Sequence, residues 1–216
     1  MTNYLPLVEQ FHSLQGEGYH AGKSAFFIRL AGCKVGCSWC DTKHSWDSSK
    51  FPLFSIEALL EEIAEAKING AAFIVITGGE PLQHNLDDFC RIIKNKTDLE
   101  NRIKIHVETS GVNNISGFFD WITLSPKRHN PPKEYFLSKS NEIKVIINDK
   151  KDIQFAKDIR KIIINIEKKQ RNSFEKKFFI QPAWNSCKGL ELSIEFAKTN
   201  PNWTLSLQTH KYLSIQ

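Results

Sequence analysis

Ala25-Phe-Phe-Ile-Arg-Leu-Ala-Gly-Cys33-Lys-Val-Gly-Cys37-Ser-Trp-Cys40 is the stretch that decides the fold. Ala25–Leu30 is an apolar run of strand length with one charge, Arg29, and reads as a buried strand. Gly32 and three closely spaced cysteines follow at its carboxyl end. The same arrangement recurs along the chain. Phe73–Thr77 is a second strand that ends in Gly78-Gly79-Glu80-Pro81, and Ile103–Val107 is a third that ends in Glu108-Thr109-Ser110-Gly111. Trp121–Leu124 runs into Ser125-Pro126-Lys127, Ile143–Ile147 is a further strand, and Phe178–Ile180 runs into Gln181-Pro182. Helical patterns separate them. Ser55 is placed as the N-cap for Ile56, Leu59, Leu60 and Ile63; Leu86–Asn95, Lys151–Glu167 and Leu190–Lys198 are the other helices. Trp203–Gln208 alternates and closes or edges the sheet. This order predicts an α/β fold with a mostly parallel sheet and right-handed crossovers. About six strands are too few to close an eight-stranded barrel, so the expected architecture is an open, partial (β/α) barrel. In such folds ligands bind at the carboxyl ends of the strands, where the unusual polar residues cluster. His44–Pro52 and Lys127–Asn141 read as loops, and the charge-rich Lys168–Lys177 as a solvated segment.

Composition narrows the function. The chain has 216 residues, suited to one domain over 1–216, with 41% hydrophobic and 25% charged residues. A net charge of +5, spread along the chain, gives no reason to expect a nucleic-acid partner. No apolar run reaches the roughly 18 residues of a membrane span, and Met1-Thr2-Asn3-Tyr4 carries neither the basic start nor the apolar core of a secretory signal. A cytoplasmic location is expected. The five cysteines are unevenly placed, three within eight residues and Cys90 and Cys187 far away, which argues for a metal site rather than a disulfide framework. Two centres fit Cys33, Cys37 and Cys40. A zinc ion would need a fourth ligand, His44 or a distant cysteine. A 4Fe–4S cluster would take one thiolate per iron and leave one iron open. Cys90 lies on an amphipathic helix and reads as a core thiol; Cys187 begins a helix.

Cys-x-x-x-Cys-x-x-Cys after a first strand, with Gly78-Gly79-Glu80-Pro81 after the second, resembles the radical S-adenosylmethionine (SAM) superfamily. A closer resemblance spans nearly the whole chain. Leu14-Gln15-Gly16-Glu17-Gly18, Arg29, Cys40-Asp41-Thr42, Thr77–Pro81, Glu108–Gly111, Ser125-Pro126-Lys127, Gln181-Pro182 and Gln208-Thr209-His210-Lys211-Tyr212 together resemble the 7-carboxy-7-deazaguanine synthase family. The resemblance implies a carbon–nitrogen lyase that contracts 6-carboxy-5,6,7,8-tetrahydropterin to 7-carboxy-7-deazaguanine with loss of ammonia, for queuosine and related 7-deazapurines. It implies a 4Fe–4S cluster, SAM and Mg2+ as cofactors, an electron donor such as flavodoxin or ferredoxin, and a homodimer.

Residue roles follow from the same resemblance. Cys33, Cys37 and Cys40 would hold three irons, with SAM on the fourth and its radical abstracting hydrogen from C6 of the pterin. No side chain is then a catalytic acid or base. Trp39, Cys40, Asp41, Gly79, Glu80, Glu108, Ser110, Ser125, Pro126, Lys127, Gln181, Pro182, Ala183 and Trp184 would bind SAM. Thr42 would be the magnesium ligand. Leu14, Gln15, Gly16, Glu17, Arg29, Thr77 and Gln216 would contact the pterin, Gln216 through its backbone. Read without the resemblance, Gly78 and Gly79 allow a close backbone approach or simply turn the chain. Arg29 on a buried strand needs an anion, either a substrate carboxylate held by paired hydrogen bonds or a structural partner such as Glu17. Glu17 reads a pterin amino edge or caps its loop. Leu82-Gln83-His84 departs from the apolar stretch relatives carry there, and His84 reads as a surface residue. Leu213-Ser214-Ile215-Gln216 is an unusual ending, and His210 reads as structural. Two other functions share parts of the pattern: an activase of the same superfamily acting on a glycyl-radical enzyme, and a zinc-stabilised binding module.

Overall fold

The computed structural model describes residues 4–96, 102–170 and 175–216. Among them nine strands form one sheet: β1 Tyr4–Leu14, β2 Ser24–Leu30, β3 Leu53–Ser55, β4 Phe73–Gly78, β5 Lys104–Thr109, β6 Trp121–Leu124, β7 Glu142–Ile147, β8 Lys177–Pro182 and β9 Thr204–Leu205. Their order is β3-β1-β2-β4-β5-β6-β7-β8-β9. From β2 onward every pairing is parallel, while β1 runs antiparallel to both β2 and β3. The helices are α1 Ile56–Ile68, α2 Asp87–Lys96, α3 Glu134–Lys139, α4 Lys150–Gln170, α5 Cys187–Thr199 and α6 Thr209–Leu213. This is the expected open α/β sheet.

Alternation along the parallel strands separates two faces. Ile28, Leu30, Ile74, Ile76, Ile105, Val107, Ile122, Leu124, Ile143, Val145 and Ile147 are buried in one cluster with Leu59 and Ile63 of α1, Phe89 and Ile93 of α2, and Ile159 and Ile163 of α4. The intervening residues face the concave side. At its lower end these are Ala25, Phe27, Phe73 and Val75, with Phe11 packed against them. At the strand ends they are Arg29, Thr77, Glu108, Lys144 and Gln181. One face thus drives folding and the other carries charge.

Several caps and boundaries agree with the sequence. Ser55 Oγ accepts from the Ala58 N–H at 3.1 Å and starts α1, and Cys187 opens α5 behind its N-cap Ser186. Two regions differ. β1 and the short β3 extend the sheet beyond the first apolar run; β1 carries Pro6 and sets its polar residues in adjacent pairs, Glu9-Gln10 and His12-Ser13, instead of alternating them, so it does not read as a sheet strand. Lys127–Asn141, expected to be a loop, contains α3. This helix is six residues long and buries only Phe136 and Leu137, too few to set a helical period. It is anchored by Lys133 N–H donating to Gly111 O at 2.9 Å. Part of Lys168–Lys177 lies outside the described residues; Lys168 and Lys169 continue α4 and Lys177 begins β8.

Phe136 is fully buried. Phe136→Ala should lower the unfolding free energy by about 3–5 kcal/mol, measured by urea denaturation, without altering the residues of the concave face.

Candidate active site

The strand ends enclose a cavity of about 440 Å³. It is lined by all the cluster, SAM, magnesium and pterin residues expected from the sequence except Pro126: Leu14, Gln15, Gly16, Glu17, Arg29, Cys33, Cys37, Trp39, Cys40, Asp41, Thr42, Thr77, Gly79, Glu80, Glu108, Ser110, Ser125, Lys127, Gln181, Pro182, Ala183, Trp184 and Gln216. Pro126 is buried behind the wall. His44, offered as a fourth ligand, is exposed; Cys90 is buried on the inner face of α2 and Cys187 is exposed on α5, and none of the three lines the cavity.

The cysteine loop is pinned at its root. Gly32 N–H donates to Ser45 O at 2.7 Å and Cys33 N–H to Trp46 O at 3.1 Å. His129 Nε2 lies 3.1 Å from Val35 O, and the ring packs edge-on to Trp39. Burial pushes the Cys33 and Cys37 thiols up, with Lys127 opposing the rise at Cys37. A metal must therefore supply the positive charge that makes them thiolates. Among the described residues no three His, Cys, Asp or Glu side chains gather on one ion-sized point. Three thiols on one cavity suit a multi-iron cluster with one thiolate per iron; a structural zinc ion would take a fourth protein ligand, and His44, Cys90 and Cys187 do not line the cavity.

The two glycines allow a close approach, here of the backbone to itself. Gly78 has φ +134°, and a Cβ there would lie 2.1 Å from Leu30 O; one on Gly79 would lie 2.4 Å from Gly32 O. The chain itself fills the space they leave, so they let the second strand end close on the cysteine loop. Glu80 completes the contact. Its N–H donates to Gly32 O at 2.8 Å. Its buried carboxylate accepts from Thr109 Oγ1 at 2.6 Å, Ser110 N–H at 2.8 Å, Leu82 N–H at 3.2 Å and Ser110 Oγ. His84 is likewise structural, with Nε2 2.7 Å from Ala31 O.

The same cavity holds a buried charge cluster. Lys144 Nζ donates to Glu17 and lies 3.8 Å from Glu108. Gln208 donates to Glu17 Oε1 and Gln15 to Glu108 Oε1, each at 2.9 Å. Burial opposes the charges of both Lys144 and Glu17. The attraction of Glu108, Glu17 and Glu142 outweighs it at Lys144 and raises that group, and Lys144 in turn holds Glu17 at about 2. Glu142, below them, accepts from Tyr19 N–H at 3.1 Å, and burial lifts it to about 7 against the pull of Lys144. Lys144 was missed at the sequence level. The signal was the same as for Arg29: one cation in an apolar strand, Ile143-Lys144-Val145-Ile146-Ile147. Arg29 itself pairs with Glu9, its Nε 2.6 Å from Oε1, and not with Glu17.

α6 lies along the mouth. Lys211 pairs with Asp41 on the cysteine loop, and its Nζ sits 4.8 Å from the Trp184 ring centre. Thr209 N–H donates to Gly16 O at 2.9 Å. A Cβ on Gly16 would collide with His210, which gives His210 the packing role expected. Ser13 Oγ donates to Gln216 O at 2.7 Å and ties down the tail.

Comparison with known proteins agrees with this geometry. The model of the Radical SAM superfamily matches residues 27–126. The chain is 51% identical, over the full length of both, to the 7-carboxy-7-deazaguanine synthase of Prochlorococcus marinus. It is 41% identical to that of Synechocystis, over 100% of this chain and 96% of the relative.

The chain belongs to the 7-carboxy-7-deazaguanine synthase family.

The crystal structure of QueE from Escherichia coli superposes with a TM-score of 0.75 at 31% identity, covering 94% of this chain and 93% of that one. Membership makes this a radical SAM enzyme that uses a 4Fe–4S cluster and SAM, and the three cavity-facing thiols fit that cluster.

Two predictions follow from the site. Cys37→Ala should abolish the broad visible absorbance of the anaerobically reconstituted protein, while Cys90→Ala should retain it; the opposite pattern would overturn the ligand assignment. Glu142 titrates near its ordinary 4.5 when unfolded and at about 7 when folded. Between those values the folded chain holds a proton the unfolded chain has lost, so stability falls as pH rises, by about 3 kcal/mol in all. Glu142→Gln should remove that slope: urea unfolding should show the variant gaining on the wild type between pH 4.5 and 7.5. An equal difference at both pH values would contradict it.

Proposed function

We propose that this chain converts 6-carboxy-5,6,7,8-tetrahydropterin to 7-carboxy-7-deazaguanine and ammonia, a radical ring contraction in 7-deazapurine biosynthesis. The observation that carries the reading is that one cavity is lined both by three thiols and by a set of fixed charges, Arg29, Glu17 and Glu108.

When bound, the reduced cluster and SAM supply a one-electron cleavage that delivers a carbon-centred radical to one C–H bond of the substrate. The chain's own residues hold the reactants and exclude water. Arg29 binds the pterin carboxylate through its guanidinium fork. Glu17, kept ionised by Lys144, accepts from the pterin amino edge, and Gln15 and Thr77 flank it. Lys127 and Ser125, joined at 2.7 Å, and Gln181 to Trp184 form the wall assigned to SAM, with Trp39, Asp41, Gly79 and Ser110. Glu80 belongs to this wall as its brace, since its carboxylate is taken up by protein donors. α6 and Gln216 cover the pterin side.

Thr42 is assigned to magnesium. Thr42 lines the cavity, its Oγ1 3.5 Å from Cys40 Sγ, and Mg2+ takes most of its ligands from water and substrate oxygens. The continuous sheet and shared core support one domain over 1–216. The remaining parts of the reading are a cytoplasmic enzyme, a homodimer, and reduction by a flavodoxin or ferredoxin. Among the described residues no helix is long and apolar enough to cross a membrane. Full-length identity to the synthases favours this function over an activase or a zinc module.

The test is an anaerobic assay with SAM, reductant, Mg2+ and 6-carboxytetrahydropterin. Product dependent on the pterin, and a lower rate without Mg2+, are expected. SAM consumption indifferent to the pterin would overturn the function.

A further inference from the structure

Arg29 projects into the cavity from β2, and only one edge of its guanidinium is engaged. Nε donates to Glu9 Oε1 at 2.6 Å, while Nη1 and Nη2 make no hydrogen bond to any described residue. The Nη1/Nη2 fork, which can grip a carboxylate end-on through two parallel hydrogen bonds, is thus left for the cavity that Arg29 lines.

Glu9 reaches Arg29 because β1 is bulged. Leu7 pairs with Leu30, but the next partner of β2, Arg29, stands opposite Glu9, leaving Val8 as an extra residue. In unbroken register Val8 would oppose Arg29, and Glu9 would oppose Ile28, whose side chain lies in the apolar core. The bulge re-aims a carboxylate from the core face to the concave face, a common use of bulges beside active sites. Directly opposed residues share a face, so Glu9 and Arg29 meet side by side, and Phe11 and Phe27 stack one step below, ring centres 5.0 Å apart. The other Glu9 oxygen accepts from Gln216 Nε2 at 3.4 Å. Glu9 does not line the cavity; it touches Arg29 and the tail.

We propose that Glu9 is a positioning residue that clamps the Arg29 guanidinium by its Nε edge, turns Nη1 and Nη2 to the cavity, and thereby sets the preference for a pterin bearing a 6-carboxylate. The proposal rests on the function proposed above. An arginine loose on its stem loses rotamer freedom when it grips an anion; one already clamped loses little. A glutamine can keep the acceptor for Nε; an alanine cannot.

The experiment uses the reconstituted enzyme. Glu9→Ala should raise the KM for 6-carboxytetrahydropterin about tenfold and leave kcat within about twofold. Glu9→Gln should hold KM within about twofold of wild type. Inhibition by tetrahydropterin without the carboxyl group should be equally strong in all three, because it makes no use of the Arg29 fork. Glu9→Thr, a good strand former too short to reach Nε, replaces Glu9→Ala if the latter does not fold. An unchanged KM in Glu9→Ala, a lowered one (the mark of Glu9 competing with substrate), or parallel weakening of the carboxyl-free inhibitor would overturn the proposal. A wild type that binds neither pterin would remove the function itself and the proposal with it.

Discussion

Glu80 joins three strand ends, and the catalytic cavity depends on that junction. Its N–H holds Gly32 at the root of the cysteine loop, and its carboxylate gathers Thr109 and Ser110 from the end of β5. A buried carboxylate accepting several donors is strongly bound in place, and loss of any donor would leave charge unsolvated. Gly78 and Gly79 let this happen, because any side chain there would enter the backbone of Leu30 or Gly32. The cysteines are therefore presented to a cavity whose opposite wall has already been fixed.

The second organising element is electrostatic. Lys144 is buried against Glu17 and Glu108, an arrangement whose desolvation cost is tolerable only while the partners stay together. It forces Glu17 to remain an acceptor at neutral pH. Gln15 and Gln208 each donate one hydrogen bond that orients a carboxylate, Glu108 and Glu17 respectively. The site thus offers a fixed acceptor in Glu17 and a fixed donor in Arg29, a pattern suited to a ligand with a donor-rich edge and a carboxylate.

Much of this was legible in the sequence, for identifiable reasons. Runs such as Phe73–Thr77 announce strands because parallel strands bury one full face and much of the other. The three cysteines and the polar residues after each strand announce a site because parallel sheets bind ligands at that edge. What stayed hidden was pairing across distance. Glu9 is placed opposite Arg29 by a bulge that no local pattern encodes, so Glu17 was an equally reasonable partner. Glu17 is instead claimed by Lys144, which lies 127 positions away. Pro6 and the adjacent polar pairs Glu9-Gln10 and His12-Ser13 disguised β1, and α3 was too short to show a period. Pro126 followed the strand end in sequence yet turned out behind the cavity wall.

The account stands on three thiolates leaving one iron for SAM. The electron paramagnetic resonance spectrum of the reduced, reconstituted enzyme, recorded before and after SAM is added, tests this directly. A spectrum that changes on addition is the predicted result, since the ligand then enters the coordination shell of the open iron. An unchanged spectrum at saturating SAM would mean that a side chain already completes the cluster, and would contradict the account.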